Sequence, residues 1–395
     1  MATAKKLRGS LVLSSNSPGA PTGYGVQAEE LVNRAVRDGL DVAVLSNYGL
    51  EARTEIKKTA HGKYAHYPKG LRPYSDDVIR LWYDDFVSQR DGPSALMTLC
   101  DAWVYNDLVF DDPILPWVPL DHVTLPPLVR KFLDRDNVNP IAMSEHGERQ
   151  MTEAGIDSTY IPHGVNTQVF KPTKKMFGRP TREYMEIPDD GFLVSIVAAN
   201  KANKILHRKA IAEQILAFAT FRRKFPNSYL YLHSEPSRSY GGFDLPTILK
   251  AVGLDESCVR IADRDRLRVG YSQNELAALY STSDVLLNAT YGEGFGVPTV
   301  EAQACGTRVI TSSWSASGDL AGPDSWLVEG QPWWDDPQSA FFQVPMIPSI
   351  IGALEQAHEA PRGTSEASIE FAKAFDFEAI WQTKWIPYLR ERFSA

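Results

Sequence analysis

The sequence has few cysteines and no long apolar run, so it lacks the features of disulfide-rich and membrane-spanning proteins. Its 395 residues include three cysteines, which are too few for a disulfide framework and match no zinc-binding spacing. No apolar run approaches the roughly 18 residues that a membrane-spanning helix needs. The apolar stretch 11–13, behind a basic N-terminus, is too short for a signal peptide. We therefore expect a cytoplasmic protein with reduced cysteines and no transmembrane segment.

The charge balance excludes little. The formal net charge is −8, from 41 basic and 49 acidic residues, which weakly disfavours a protein that coats nucleic acid. A local basic groove remains compatible with an acidic total. Hydrophobic residues make up 43% of the chain and charged residues 23%, as in folded globular proteins. The length predicts two or three domains of ordinary size.

Short apolar runs alternate with longer amphipathic stretches in the first part of the chain. A strand over 11–15, a glycine-rich turn, a helix over 28–38 and a strand over 41–46 form a βαβ opening, which predicts a parallel sheet. We predict further strands over 102–105, 117–119 and 140–144. A helix follows Ser144, whose side chain suits an N-cap.

A second α/β series begins near residue 192. The predicted elements are strands over 192–198, 229–233, 285–288 and 307–311, and helices over 211–224, 275–281 and 298–305. The segment 171–191 between the two series is rich in proline, glycine and charge, which is typical of a linker. The aromatic stretch 375–393 has a helical pattern and predicts a core-packing helix. Two such units place the expected site in the cleft between them, at the C-terminal ends of the strands.

The strongest chemical signal is the segment 291–301, Tyr-Gly-Glu-Gly-Phe-Gly-Val-Pro-Thr-Val-Glu. Pro298 favours the first turn of a helix, and the free amides at a helix start favour an anion. An alternative is a glycine turn with a helix-capping glutamate. Two carboxylates flank the glycine turn, and the candidate residues are Glu293, Gly294, Phe295, Gly296 and Glu301.

The neighbouring residues extend this pattern. They read Glu-Leu-Ala-Ala-Leu-Tyr over 275–280, Ser-Asp-Val-Leu-Leu-Asn over 283–288 and Ala-Gln-Ala-Cys-Gly-Thr-Arg-Val-Ile over 302–310. In order and spacing the whole segment resembles the donor-binding half of family four of the retaining glycosyltransferases (glycosyl transferases group 1), which includes sucrose synthases and mannosyltransferases. The resemblance implies a GT-B fold, with two Rossmann-like domains facing a cleft and a C-terminal helix packing back toward the first domain. We expect domains over 1–172 and 173–374, and the returning helix over 375–395.

In the family, cations in the loop after the first strand of the second domain hold the donor diphosphate. Here Asn200, a candidate donor contact, stands where arginine is common, and Lys201, Lys204, Arg208 and Lys209 follow in a longer loop. The resemblance makes Lys209 the best diphosphate ligand and Arg208 the next. Two cations against two phosphates would also stabilise the leaving nucleotide. A solvated basic loop is the alternative.

The first domain matches the family more loosely. The stretches 144–147, 154–156, 161–166 and 169–172 look like the end of the family's first domain. His163 lies in this region, either as a turn-stabilising histidine or as a residue facing the cleft.

The loop Ser-Pro-Gly-Ala-Pro-Thr-Gly-Tyr-Gly over 17–25 does not have the dinucleotide-binding spacing. In the family this loop lies over donor phosphate and acceptor. Gly23, Tyr24 and Gly25 are therefore candidate donor contacts, with glycines that permit close backbone approach.

The segment 117–122, Trp-Val-Pro-Leu-Asp-His, ends in an acidic residue and a histidine. Related enzymes present a catalytic histidine or aspartate from this region. The resemblance makes Asp121 the first choice and His122 the second for a contact to the sugar or for taking the acceptor proton. A structural Asp–His pair is the alternative.

The resemblance implies a retaining transfer of a hexose from a UDP- or GDP-sugar to a hydroxyl acceptor, with no cofactor and no metal. Glu301 would bind the ribose, while Glu293 and the amides after it would hold the sugar. The adjacent pairs Asp111-Asp112, Asp189-Asp190 and Asp335-Asp336 are poor chelators on strands, where neighbouring side chains point to opposite faces.

Three other functions stay open. The acceptor, which could be a glycan, a lipid or a small molecule, could instead be a modified base in DNA, as in virus-encoded enzymes. The basic stretches 201–209 and 264–268 could contact DNA, so this alternative stays open. The chain could also be a nucleotide-sugar epimerase on the same fold, or a sugar-binding protein without activity.

Overall fold

The computed structural model describes residues 6–49, 52–202, 206–239 and 241–393. The chain forms two compact units. The first unit comprises Met1–Leu120, Thr124–Gly164 and Phe377–Ala395, and the second comprises Asp121–Val123 and Val165–Asp376. The chain therefore passes to the second unit at 164/165, ahead of the predicted boundary at 172/173, and returns at 376/377. Residues 121–123, which we had placed in the first domain, belong to the second unit.

The first unit contains an eight-stranded sheet in the order β3-β4-β2-β1-β5-β6-β7-β8. Only β3 runs antiparallel to its neighbour within the described residues. The central strand β1 is buried along its first six residues, as expected for a parallel strand with both faces covered. The strands are β1 (Ser10–Asn16), β2 (Asp41–Tyr48), β3 (Glu55–Lys58), β4 (Lys63–Tyr67), β5 (Ser94–Thr98), β6 (Ile114–Val118), β7 (Ile141–Ala142) and β8 (Thr159–Tyr160).

The helices of the first unit are α1 (Gly23–Arg37), α2 (Ile79–Val87), α3 (Pro127–Leu133) and α4 (Glu145–Glu153). The predicted N-cap of α4 is confirmed, because the Ser144 hydroxyl accepts a hydrogen bond from the amide of Gly147. The predicted strand over 102–105 is wrong, since Ala102–Tyr105 forms a 3₁₀ turn and the strand precedes it at β5. Ala102 and Tyr105 are both buried, and residues three apart share one face of such a turn.

The second unit contains a six-stranded parallel sheet in the order β13-β12-β11-β14-β15-β16, and two small antiparallel hairpins, β9-β10 and β17-β18. The strands are β9 (Lys175–Met176), β10 (Arg179–Pro180), β11 (Phe192–Val197), β12 (Ser228–His233), β13 (Val259–Ile261), β14 (Val285–Asn288), β15 (Arg308–Ser312), β16 (Ser325–Val328), β17 (Gly330–Asp335) and β18 (Ala340–Pro345). Phe218, Leu232, Val285 and Ile350 belong to its main core.

The helices of the second unit are α5 (Thr181–Tyr184), α6 (Ile211–Lys224), α7 (Leu245–Ala251), α8 (Arg264–Val269), α9 (Gln273–Thr282), α10 (Val297–Ala304), α11 (Ser315–Asp319), α12 (Ile347–Glu359) and α13 (Glu366–Ala372). The helix predicted over 211–224 and the strand predicted over 285–288 are observed with the same bounds. No helix in the described part of the chain is both long and apolar enough to cross a membrane.

The segment 171–191 is part of the second unit, and not the linker that its composition predicts. It folds into the hairpin β9-β10 and helix α5. Met176, Met185 and Ile187 are buried in one apolar cluster with Leu193. The apolar residues scattered through this polar stretch therefore anchor it to the sheet.

The C-terminal helix packs within the first unit. It consists of Phe377–Ile380, a single π-helical stretch at Trp381–Trp385, and Ile386–Phe393. Trp381 donates its indole N–H to Asp38 at 2.6 Å, and the Trp385 ring meets Trp117 edge-on at 5.0 Å. The aromatic pattern that predicts a core helix is therefore confirmed.

Candidate functional site

Glu293 lies in the loop between β14 and α10 and is 6% exposed. Its carboxylate contacts Lys209 Nζ at 2.6 Å and Arg208 Nη1 at 3.1 Å. Its amide donates to the Ser315 hydroxyl at 2.9 Å, which fixes the loop. Burial would raise the pKa of Glu293, but the two cations lower it below the usual value. Glu293 is therefore a buried carboxylate held ionised by two cations.

The two cations come from the loop that leads into α6. Arg208 also donates to the carbonyl of Gly292, and its Nε lies 3.5 Å from an Asp121 carboxylate oxygen. Burial lowers the pKa of Lys209, and Glu293 offsets this only in part. The residues predicted for the diphosphate and the carboxylate predicted for the sugar thus form one cluster, although 84 and 85 residues separate them along the chain.

Asp121 and His122 stand beside this cluster. Residues 121–123 extend the hairpin β17-β18, because the Val123 amide donates to the Phe341 carbonyl at 2.9 Å. His122 Nδ1 lies 2.8 Å from Asp121, and its Nε2 lies 3.1 Å from Asp335. Asp335 is a site residue that was not predicted from the sequence, where the pair 335–336 was considered only as a poor chelator. One available signal was an aspartate at the end of a strand rich in tryptophan.

The charges of this pair follow from their neighbours. Burial would lower the pKa of His122, but Asp121 and Asp335 raise it above the usual value. Burial would likewise raise the pKa of Asp121, while Arg208 and His122 hold it at about 2. The Phe342 ring covers the imidazole at 3.8 Å between centroids. The neighbours of this pair therefore favour the charged imidazolium of His122 and the ionised carboxylate of Asp121.

The second carboxylate of the motif has different surroundings. Glu301 is 8% exposed and accepts a hydrogen bond from the Tyr280 hydroxyl at 2.9 Å. Burial raises its pKa to about 7, against the lowering effect of that hydrogen bond. Helix α10 begins at Val297, so Glu301 lies just beyond its first turn. The structure does not pair Glu301 with the cations that hold Glu293.

The glycine turn before α10 has the predicted form. Gly296 has a φ of +111°, a conformation that favours glycine. Phe295 is buried, and its ring meets Phe375 at 5.8 Å. Gly294 is half-buried between Glu293 and Phe295. The turn thereby leads into a helix whose first amides favour an anionic ligand.

Asn200 is buried and organises the loops around it. Its side-chain amide donates to the carbonyls of Glu235 at 2.7 Å, Ser237 at 3.3 Å and Phe243 at 2.7 Å. Its side-chain oxygen accepts from the Phe243 amide at 2.8 Å and lies 2.9 Å from His207 Nε2. These bonds give Asn200 a role in shaping the basic loop, and the donor contact predicted for it stays a prediction. Lys204 of the same loop lies outside the described residues.

The glycine-rich loop of the first unit ends at the start of α1. The Thr22 hydroxyl accepts from the Gly25 amide at 3.0 Å and from the Asn16 side chain at 2.8 Å. A Cβ on Gly25 would lie 2.4 Å from the Ala20 carbonyl oxygen, whereas one on Gly23 would meet nothing within 4 Å. Gly25 is therefore required by packing, while Gly23 and the half-buried Tyr24 lie at the more open start of the helix.

His163 lies in the interior of the first unit and is 2% exposed. Its ring lies 4.3 Å from Trp117 between centroids, and burial lowers its pKa to about 3. This is a neutral histidine packed against an aromatic ring. The structure thus places His163 in the packed interior of the first unit, and a role near the donor stays a prediction.

The chain contains two Asp-x-Asp triplets, a spacing that can hold a metal ion, at 134–136 and 263–265. Asp134 pairs with Arg130 at 3.3 Å, and Asp263 caps α8 by accepting from the Arg266 amide. Across the described ranges, no group of three or more histidine, cysteine, aspartate or glutamate residues is placed to hold a metal ion.

Residues 247–338 match the family model described as Glycosyl transferases group 1. A D-inositol 3-phosphate glycosyltransferase from Streptosporangium roseum is 29% identical over 223 residues, which cover 54% of this chain and 48% of that protein. The matches span about a quarter to a half of the length of such curated relatives.

Solved structures resemble the whole chain. A sucrose-phosphate synthase from Thermosynechococcus elongatus has a TM-score of 0.71 at 17% identity, covering 98% of this chain and 99% of that one. The Anabaena protein HepE, in complex with UDP and glucose, has a TM-score of 0.64 at 16% identity, covering 96% and 98%. These similarities show the fold that the sequence motifs predict.

Proposed function

Because the chain belongs to the group 1 glycosyltransferases of the GT4 type, with a GT-B fold, we propose that it transfers a hexose from a nucleotide diphosphate sugar to a hydroxyl acceptor. The observation that carries the proposal is the buried cluster of Glu293, Arg208 and Lys209. Two cations and an ionised carboxylate are held together directly before the starts of α6 and α10. Cations and helix amides can bind a diphosphate, and the carboxylate can accept hydrogen bonds from sugar hydroxyls.

The first choice of donor is a UDP-sugar, and a GDP-sugar is the second. HepE, which shares the fold, was solved with UDP and glucose. In our assignment Arg208 and Lys209 hold the diphosphate, Glu301 binds the ribose, and Glu293 with the amides of 294–296 holds the sugar. These roles follow the pattern of the motif, and each predicts a distinct defect on substitution.

We propose a front-face reaction that retains the anomeric configuration. The acceptor oxygen forms a bond to C1 of the sugar as the C1–oxygen bond to the diphosphate breaks. The departing phosphate takes the acceptor proton. Asp121 and Glu293 are both engaged by cations, which stabilises their ionised forms but lowers their reactivity as covalent nucleophiles. Arg208 and Lys209 stabilise the charge that develops on the leaving nucleotide.

The donor site is tested first by thermal unfolding in the presence of UDP, GDP, ADP and their common sugars, with and without magnesium. A ligand that binds only the folded state raises the midpoint by mass action. We expect one nucleotide to raise it without metal, and Lys209→Met to remove the shift. Lys250→Met, on an exposed position of α7, is the matched control.

Product analysis then separates the activities. Transfer with retained configuration, read by proton NMR of the anomeric signal, supports the proposal. An epimerised donor without any acceptor would replace it with an epimerase, and no shift with any nucleotide would overturn the donor site. Salt-sensitive DNA binding would direct the acceptor search to modified bases.

A further inference from the structure

His122 is enclosed by charged groups on both of its nitrogens. Asp121 faces Nδ1 at 2.8 Å, and Asp335, at the end of β17, faces Nε2 at 3.1 Å. His122 and Asp335 are each 6% exposed. The face of the ring lies against Phe342 of β18. The hairpin β17-β18 therefore supplies both the carboxylate of Asp335 and the ring of Phe342 that contact His122.

The contacts continue as a row of alternating charges. Asp335 is followed by His122, Asp121, Arg208 and Glu293, with separations of 3.1, 2.8, 3.5 and 3.1 Å. A buried carboxylate next to a buried imidazole favours the imidazolium, because each charge compensates the other where water does not. Asp335 is the end of this row, and it lies 213 residues from His122 along the chain.

We propose that Asp335 is a positioning residue that holds His122 as a doubly protonated cation and thereby fixes the orientation of Asp121 toward Arg208. An imidazolium with both N–H groups directed at carboxylates cannot take a proton from an acceptor. His122 therefore serves as a fixed positive charge, and the base role that the sequence left open does not belong to it. The inference rests on the proposed function for its catalytic consequence, but not for the charge state.

The charge state is measured without any substrate. Histidine-labelled protein is titrated by NMR, and the His122 signals are assigned by their loss in His122→Gln. The groups that face the imidazole are Asp121 and Asp335, with Arg208 acting through Asp121. We expect Asp335→Asn to lower the pKa of His122 by about one unit or more. Asp336→Asn, the exposed neighbour on the same turn, should leave it unchanged.

The catalytic consequence is read in the same variants. We expect Asp335→Asn to lower kcat by about tenfold or more, by analogy with the loss of other preorganised charges, and to move the pH profile, with a smaller change in donor KM. Asp335→Glu, which keeps the negative charge, should recover part of the lost kcat and part of the original pH profile. A thermal unfolding curve for each variant identifies any loss of folding.

An unchanged His122 pKa in folded Asp335→Asn would overturn the inference. So would a shift of equal size in Asp336→Asn. If the proposed function is wrong, no nucleotide will stabilise the unsubstituted protein against unfolding. The NMR titration of His122 does not depend on that result. The two hypotheses are thus tested by separate measurements.

Discussion

Both units bury histidines, but the surroundings of His122 in the second unit differ from those of His66 and His163 in the first. In the first unit, His66 and His163 are each nearly inaccessible, and burial lowers their pKa values to about 4 and about 3. His66 contacts hydroxyl groups, with Ser17 Oγ at 2.9 Å. In the second unit, His122 is buried between two carboxylates, and its pKa is raised. Burial alone therefore does not set the charge of a histidine, because the groups that face it decide between the neutral and the charged form.

The same contrast extends to the candidate sites. The glycine-rich loop of the first unit relies on backbone amides and neutral hydroxyls, with Thr22 capping α1. The second unit gathers charged side chains, with the buried Glu293 and the half-buried Asp121 held by cations. Charges that meet a developing negative charge are most effective in a fixed, water-poor site. The difference indicates that the second unit supplies the electrostatic part of the proposed reaction.

The largest expected effect comes from Glu293→Ala. Removal of the carboxylate that Arg208 and Lys209 share leaves two partly buried cations close together, and breaking a buried ion pair costs about 3–5 kcal/mol. Chemical denaturation measures the free energy of unfolding. Ser46→Ala in the first unit breaks neutral buried hydrogen bonds to Ser17 and His66 and should cost less, about 1–2 kcal/mol. Equal losses in the two variants would remove the contrast between charged and neutral burial.

Turnover provides a second readout of Glu293→Ala. Loss of one preorganised contact should lower kcat/KM by at least about 30-fold, or ~2 kcal/mol. Normal turnover would contradict the placement of Glu293 at the sugar.

A smaller effect, on the pH dependence of the free energy of unfolding, is expected from Glu301→Gln. This variant tests the buried carboxyl group that is not paired with a cation. Because the folded pKa is about 7 and the reference value is 4.5, the folded state binds the proton more tightly. This contribution to stability is complete below pH 4.5 and is lost as the pH rises through 7, by about 3 kcal/mol in total.

Glu301→Gln should lack that loss, so its stability relative to the unsubstituted protein should rise across the same window. Glu366→Gln removes an exposed carboxylate of α13 and should follow the unsubstituted protein. Parallel pH profiles for Glu301→Gln and the unsubstituted protein would contradict the raised pKa of Glu301.

The smallest effect concerns the neutral loop of the first unit. Gly25→Ala places a methyl group against the Ala20 carbonyl, and such overpacking costs about 1–3 kcal/mol. Gly23→Ala meets open space at a helix start and should be neutral or stabilising, by up to about 1 kcal/mol. Denaturant unfolding of the two variants measures the difference. A larger loss for Gly23→Ala would show that the loop packs differently.

Prediction from sequence succeeded where the signal is local. Helix α6 and strand β14 have the bounds that periodicity and composition predict. Pro298 and Gly296 mark the start of α10, because proline suits a first turn and glycine tolerates a positive φ. Prediction was less successful at 102–105, where an apolar run of four residues does not distinguish a strand from a 3₁₀ turn. It also failed at 171–191, where polar composition concealed Met176 and Ile187.

The site divides in the same way. The two-glutamate motif, the basic loop before α6 and the glycine start of α1 can be identified from sequence, since each is encoded within a few consecutive residues. Which charges meet depends on the folded chain. It brought Asp335 to His122, placed Arg208 between Asp121 and Glu293, and separated Glu301 from both cations. The reason is physical: ion pairs form between groups close in space, and the packing of the sheet and its hairpin sets those distances.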